Sequence, residues 1–135
     1  MTGSIAETWL QHARDDLKSA EVLLEAKIYA MVCFHAQQAV EKGLKALLAA
    51  ASLPIPRIHN LIRLRRMVED SLDDQLQIDQ EALMFLNDIY LDSRYPTDFG
   101  VLPAGIPDSK DAKRAYYDAL GIFRVIELTI ETMTK

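Results

Sequence analysis

Apolar residues recur every three or four positions along most of the chain, and no stretch alternates convincingly between apolar and polar. That is the period of an α-helical face rather than of a strand. The first stripe is Trp9, Ala13, Leu17, Ala20 and Leu24, with Arg14, Asp15, Lys18, Glu21 and Glu25 off it. Ser4 and Glu7 stand at the spacing of a capping box, so a helix is predicted over residues 4–26. A break at Lys27-Ile28 leads to a second helix over 29–51, striped by Ala30, Phe34, Gln37, Val40, Leu44, Leu47 and Leu48. Gly43 inside it costs about 1 kcal/mol against Ala. It marks either a close helix–helix approach or a tolerated weak spot.

Pro54 and Pro56 end that helix by pushing Leu53 and Ile55 out of helical geometry. A third helix is predicted from Asn60 to Asp70 or Leu72, with Leu61, Leu64, Val68 and Leu72 inward. Asp73-Asp74-Gln75 reads as a turn. A fourth helix covers 79–91, with Asp79 as N-cap and Leu83, Leu86 and Tyr90 on its inner face. Residues 93–107 hold three prolines and two glycines, an irregular stretch of a length that is usually functional or mobile. The last helix starts at Asp108, with Asp111 at its third helical position, and runs to the end through Ala112, Ala115, Ala119, Ile122, Phe123, Ile126, Ile130 and Met133. The expectation is an all-α fold, an antiparallel up-and-down four-helix bundle with an additional short helix, forming one domain over residues 1–135.

Composition narrows the function classes. The single cysteine, Cys33, rules out an internal disulfide framework and a multi-cysteine zinc site, and fits a reducing cytoplasm. No run nears about 18 consecutive apolar residues, so no membrane span is expected. Met1-Thr2-Gly3-Ser4 lacks the basic stretch and apolar core of a secretory signal. The net charge of −5 argues against non-specific nucleic-acid binding. That total hides a split: residues 41–66 carry six basic side chains against Glu41 alone, and residues 67–98 carry nine acids against Arg94. Either these are two solvated faces of a bundle, or the basic one receives a phosphate or an acidic partner.

The segment Ala36-Gln37-Gln38-Ala39-Val40-Glu41-Lys42-Gly43-Leu44-Lys45-Ala46 is more specific than a bundle requires. A proline-bearing turn and Ile58-His59-Asn60-Leu61 follow it, and Asp92-Ser93-Arg94-Tyr95-Pro96 opens the long loop. With Ala13-Arg14-Asp15-Asp16-Leu17 and Ala20, these residues resemble the prokaryotic HEPN domain from about Trp9 to Ile130. The resemblance implies a bundle of four or five helices, often a homodimer, encoded beside or fused to a small nucleotidyltransferase. Some such pairs are toxin–antitoxin modules. One branch of the family is proposed to bind nucleotides. Another consists of metal-independent ribonucleases with an Arg-x(4–6)-His motif completed across a dimer. Here the histidines are His12, His35 and His59, and none lies four to six residues after an arginine. The match is therefore closer to the non-catalytic, nucleotidyltransferase-associated branch, and no catalytic residue, metal site or cofactor is assigned.

Candidate binding residues follow from the basic side chains. Lys42, Lys45, His59, Arg63, Arg94 and Tyr95 form a nucleotide- or phosphate-binding set, because lysine and arginine donate charge-assisted hydrogen bonds to phosphate oxygens. Against this, Glu41 and Lys45 stand at i,i+4, a pairing worth a few tenths of a kcal/mol. His59 and Asn60 suit helix capping, and Arg94 suits an ion pair with Asp88 or Asp92. Gln37, Gln38 and Glu41 are candidate contacts between helices or with a protein partner. His12 falls on the exposed side of its helix. His35, beside Phe34, and Cys33 read as structural, and Trp9 as a core or dimer contact. The partners implied are a second copy, a nucleotidyltransferase and a nucleotide, with no membrane and nucleic acid left open.

Overall fold

The computed structural model describes residues 4–94 and 106–133, and within them the side chains of all but 90–94. Among the described residues there are five helices and no strand: α1 Ile5–Glu25, α2 Tyr29–Ala50, α3 Leu61–Leu72, α4 Gln80–Arg94 and α5 Ser109–Met133. The starts follow the expected caps. Ser4 Oγ accepts from the Glu7 N–H at 3.0 Å, Asn60 Oδ1 from the Arg63 N–H at 2.9 Å, and Asp79 Oδ1 from the Glu81 N–H at 2.9 Å. Asp108 and Asp111 cap one another reciprocally, side chain to backbone N–H, at 2.9 and 3.1 Å. The bond from the Asp111 N–H holds the Asp108 carboxyl below its ordinary range. The box at α1 is only half made, because Glu7 turns its carboxylate to Arg14, at 3.0 Å.

Three helices end on left-handed residues other than glycine, α3 on Asp73 with φ 53° and the Asp74 N–H donating to the Glu69 carbonyl, and α1 and α2 in Schellman turns. Lys27 has φ 63°, with the Ile28 N–H donating to the Leu23 carbonyl. Ser52 has φ 61°, with the Leu53 N–H donating to the Leu48 carbonyl. α4 runs on to Arg94, past the expected end at Leu91. Nothing in Asp92-Ser93-Arg94 breaks a helix, and the restriction that Pro96 imposes falls on Tyr95.

Side-chain pairs fix the directions. Asp16 meets His35 and Lys42 while Trp9, earlier on α1, faces Lys45, later on α2, so α1 and α2 are antiparallel, and Arg14–Glu127 with Tyr116–Glu21 makes α1 and α5 antiparallel as well. Leu61 with Asn87 and Arg65 with Gln80 do the same for α3 and α4. The four long helices α1, α2, α4 and α5 alternate up and down, and the shorter α3 lies against α2 and α4. The bundle is rhombic rather than square: α2 and α5, which run parallel, touch across the short diagonal, while α1 and α4 do not meet. Gly43 permits that diagonal. A Cβ there would stand 2.9 Å from Ile126 Cδ1 and 3.4 Å from Phe123 Cδ1. Of the two readings of Gly43, close approach is the one the fold uses.

Enclosure by four helices explains the composition of α2, of whose 22 residues thirteen are buried. Leu44, Leu47, Leu48, Leu61, Leu64, Leu83, Leu86 and Ile126 form the fully buried centre, each contributing roughly 1.5–3 kcal/mol of burial. No helix among the described residues is long and apolar enough to cross a membrane.

Candidate functional site

Four polar side chains are buried among the described residues: Asp16, Gln37, Glu41 and Lys45. Three of them lie on consecutive turns of α2, where the sequence continues an inward-facing register with polar residues. An isolated charge placed there would be strongly destabilising, so each must be partnered. Glu41 Oε2 accepts from Lys45 Nζ at 3.0 Å, in a pair whose side chains are 5% and 6% exposed. His59 Nδ1 lies 3.2 Å from both carboxylate oxygens. Gln37 Nε2 donates to Glu41 Oε1 at 3.4 Å and to the His59 carbonyl at 3.3 Å, while its own oxygen accepts from Gln38 Nε2 at 2.7 Å. Lys45 Nζ also stands 5.7 Å from the centroid of the Trp9 ring on α1.

The network does two things. It ties the segment after Pro56 to the middle of α2, which sets where α3 begins. It also orients an imidazole. A carboxylate only accepts, so Nδ1 of His59 carries the proton and Nε2 is left for solvent or a ligand. The His59 side chain is 57% exposed while its carboxylate is almost entirely enclosed.

A second cluster sits on the other side of α2. Asp16 Oδ1 lies 2.8 Å from His35 Nδ1, and Asp16 Oδ2 accepts from Lys42 Nζ at 2.7 Å. His35 packs edge-on to Phe34, with ring centroids 5.2 Å apart. Asp16 was not anticipated as a site residue, although a signal existed. It falls three after Ala13 and four before Ala20, so it is an acid on the buried stripe of α1.

The structure thus gathers Gln37, Gln38, Glu41, Lys42, Lys45 and His59 on and beside one stretch of α2. It also revises several expected roles. Gln37 and Glu41 are enclosed within the chain and have no surface to offer a partner, whereas Gln38 is half-buried at the rim. Lys45 is interior and committed to Glu41, and Lys42 is committed to Asp16, so neither presents an unpaired ammonium to phosphate. Arg63 is exposed on α3, one turn beyond Asn60. The Arg94 side chain and all of Tyr95 lie outside the described residues, as do residues 95–105 of the irregular stretch expected over 93–107. His12 is exposed and Cys33 buried, as expected. Two further residues emerge from the fold alone. Asn87 Oδ1 on α4 accepts the Leu61 N–H at 2.9 Å, and Arg65 bridges Glu69, Gln80 and the Leu76 carbonyl. No group of three or more metal-ligating side chains converges among the described residues.

Comparison with known proteins agrees with this architecture. The HEPN domain family model matches residues 6–129. A Methanocaldococcus jannaschii protein named "Putative toxin MJ1304" is 28% identical over 130 residues, covering 90% of this chain and 86% of its own. The crystal structure of TT1696 from Thermus thermophilus superposes with a TM-score of 0.73 at 30% identity, over 92% of this chain and 97% of that one. That of ST0689, an archaeal HEPN homologue, gives 0.70 at 25% identity, over 93% and 97%. With a family model spanning most of its length and relatives that share its whole bundle, this chain belongs to the HEPN domain family.

Proposed function

We propose that the chain is a non-catalytic HEPN module of a toxin–antitoxin-like pair, which forms a homodimer and docks a small nucleotidyltransferase in the cytoplasm. The disposition of the histidines carries this reading. His35 and His59 each direct Nδ1 at an enclosed carboxylate, and no hydrogen bond or ion pair among the described residues joins a histidine to an arginine. The sequence also lacks a histidine four to six residues after any arginine. General acid–base cleavage of a phosphodiester by that motif needs a proton donor or acceptor beside a fixed cation. The archaeal relative's name supports the toxin-like class. A nucleotide belongs to the same reading, at the exposed face where His59 and Arg63 stand. Co-expression with the product of the adjacent gene is expected to yield a complex. A protein that neither forms a complex nor exceeds monomer mass in light scattering overturns the proposal.

A metal-independent ribonuclease is the second reading, favoured by one observation: His59 is exposed and oriented by Glu41, as a general base would be. Incubation with total RNA separates the two. Cleavage lost in His59→Ala selects the ribonuclease, and intact RNA selects the interaction module.

A further inference from the structure

The described helices contain two interior glycines, and they differ in what surrounds them. Gly43 is explained within the chain, since a Cβ there would strike Ile126 across the bundle. Gly121 is not: a Cβ there would meet nothing within 4 Å. It occupies the middle of α5, the position where a glycine weakens a helix most. Its stripe is solvent-facing and carries large apolar groups, with Tyr117 63% and Leu128 61% exposed. Alongside runs a shallow groove of about 270 Å³, lined among others by Ile78, Ala82, Ile122 and Val125.

We propose that this outer face of α5 is the homodimer surface, with Gly121 at a two-fold axis where the helices of two copies cross in close contact. The inference rests on the dimer of the proposed function and adds its location. Two properties select a second copy as the occupant. Gly121 is the midpoint of Ser109–Met133, so an antiparallel pairing about it overlays the helix along its full length. The charges along α5 are also self-complementary. Asp118 and Arg124 stand three residues to either side of Gly121, so a two-fold axis there brings each opposite the other. The same operation sets Tyr117 of one copy against Val125 of the other, beside the groove, and brings Arg124 within reach of the Tyr117 ring, a favourable cation–aromatic arrangement.

A cysteine at a two-fold axis meets its own symmetry mate, and a disulfide requires Cα atoms within about 7 Å. Gly121→Cys is therefore expected to give a cross-linked dimer on mild oxidation, while Asp70→Cys, on the exposed side of α3, does not. Gly121→Arg is expected to weaken the dimer at least ten-fold by concentration-dependent light scattering, with the helical signal unchanged, because the added side chain meets nothing within its own chain. Gly121→Ala separates packing from folding: the midpoint of thermal unfolding of the dilute monomer rises while the dimer loosens. A wild-type dimer that fails to cross-link at 121 and survives Gly121→Arg overturns the surface and leaves the homodimer standing. A wild-type protein that stays monomeric at all concentrations overturns both.

Discussion

Asp16 and Glu41 each gather one lysine and one histidine, yet the two clusters are built for different environments. Glu41 and its lysine share a helix and are almost fully enclosed, and only the imidazole reaches solvent. Asp16 stands on α1, takes both partners from α2, and leaves Lys42 and His35 about a quarter exposed. The enclosed pair has no water to fall back on, so each charge depends on the other. The open cluster is a clamp between helices whose members can rehydrate if one is lost. The same three side-chain types therefore act as an anchor for a chain segment in one place and as a helix fastener in the other.

The largest expected difference comes from removing the carboxylates. Glu41→Ala strands a buried ammonium and should lower stability by about 3–5 kcal/mol, measured by urea denaturation. Replacing both Glu41 and Lys45 with leucine should recover most of that loss. If Glu41→Ala costs less than Asp16→Ala, the contrast between enclosed and open clusters fails. Asp16→Ala should cost about 1–2 kcal/mol, because hydrogen bonds to charged groups are lost but the partners regain water.

Cys33 sharpens the comparison from the other side, as a buried ionisable group without a counter-charge. Burial, reinforced by the charges of Asp111 and Asp108, pushes its thiol up to about 12. The unfolded chain loses that proton at lower pH, so above about pH 9 the folded state holds more protons. Stability should then fall with rising pH, by at most about 1.4 kcal/mol per unit from this group. Denaturation midpoints between pH 8 and 11 test this, and a Cys33→Ala variant should lose that part of the slope. The smallest expected effect is that of His59→Ala, under about 1 kcal/mol, since the imidazole is exposed and Glu41 keeps Lys45 and Gln37. A loss comparable to that of Glu41→Ala would mean that the histidine, not the lysine, supports the anchor.

The helices were legible because their signals are local. Ser4, Asn60, Asp79 and Asp108 announce their helices through side chains that reach only three residues along the chain, and the apolar stripes report which face turns inward. Gly43 was legible as an alternative, and only the position of Ile126 could decide it. The polar core was harder. Glu41 and Lys45 have the spacing of an ordinary surface pair, and nothing local says that α2 is covered on every side. That follows from α5 crossing the diagonal, a contact between residues far apart in the chain. For the same reason Lys42 and Lys45 read as available cations in the sequence and prove to be committed in the fold.

The parallel diagonal of α2 and α5 has a consequence for how the chain is made. α2 is synthesised early, but the helix that closes over Gly43 comes last, so the nascent protein carries an apolar rod with one side uncovered until Phe123 and Ile126 have left the ribosome. During that interval its protection must come from α1, α3 and α4, which precede α5 in the chain, and from whatever chaperone surface the cell provides.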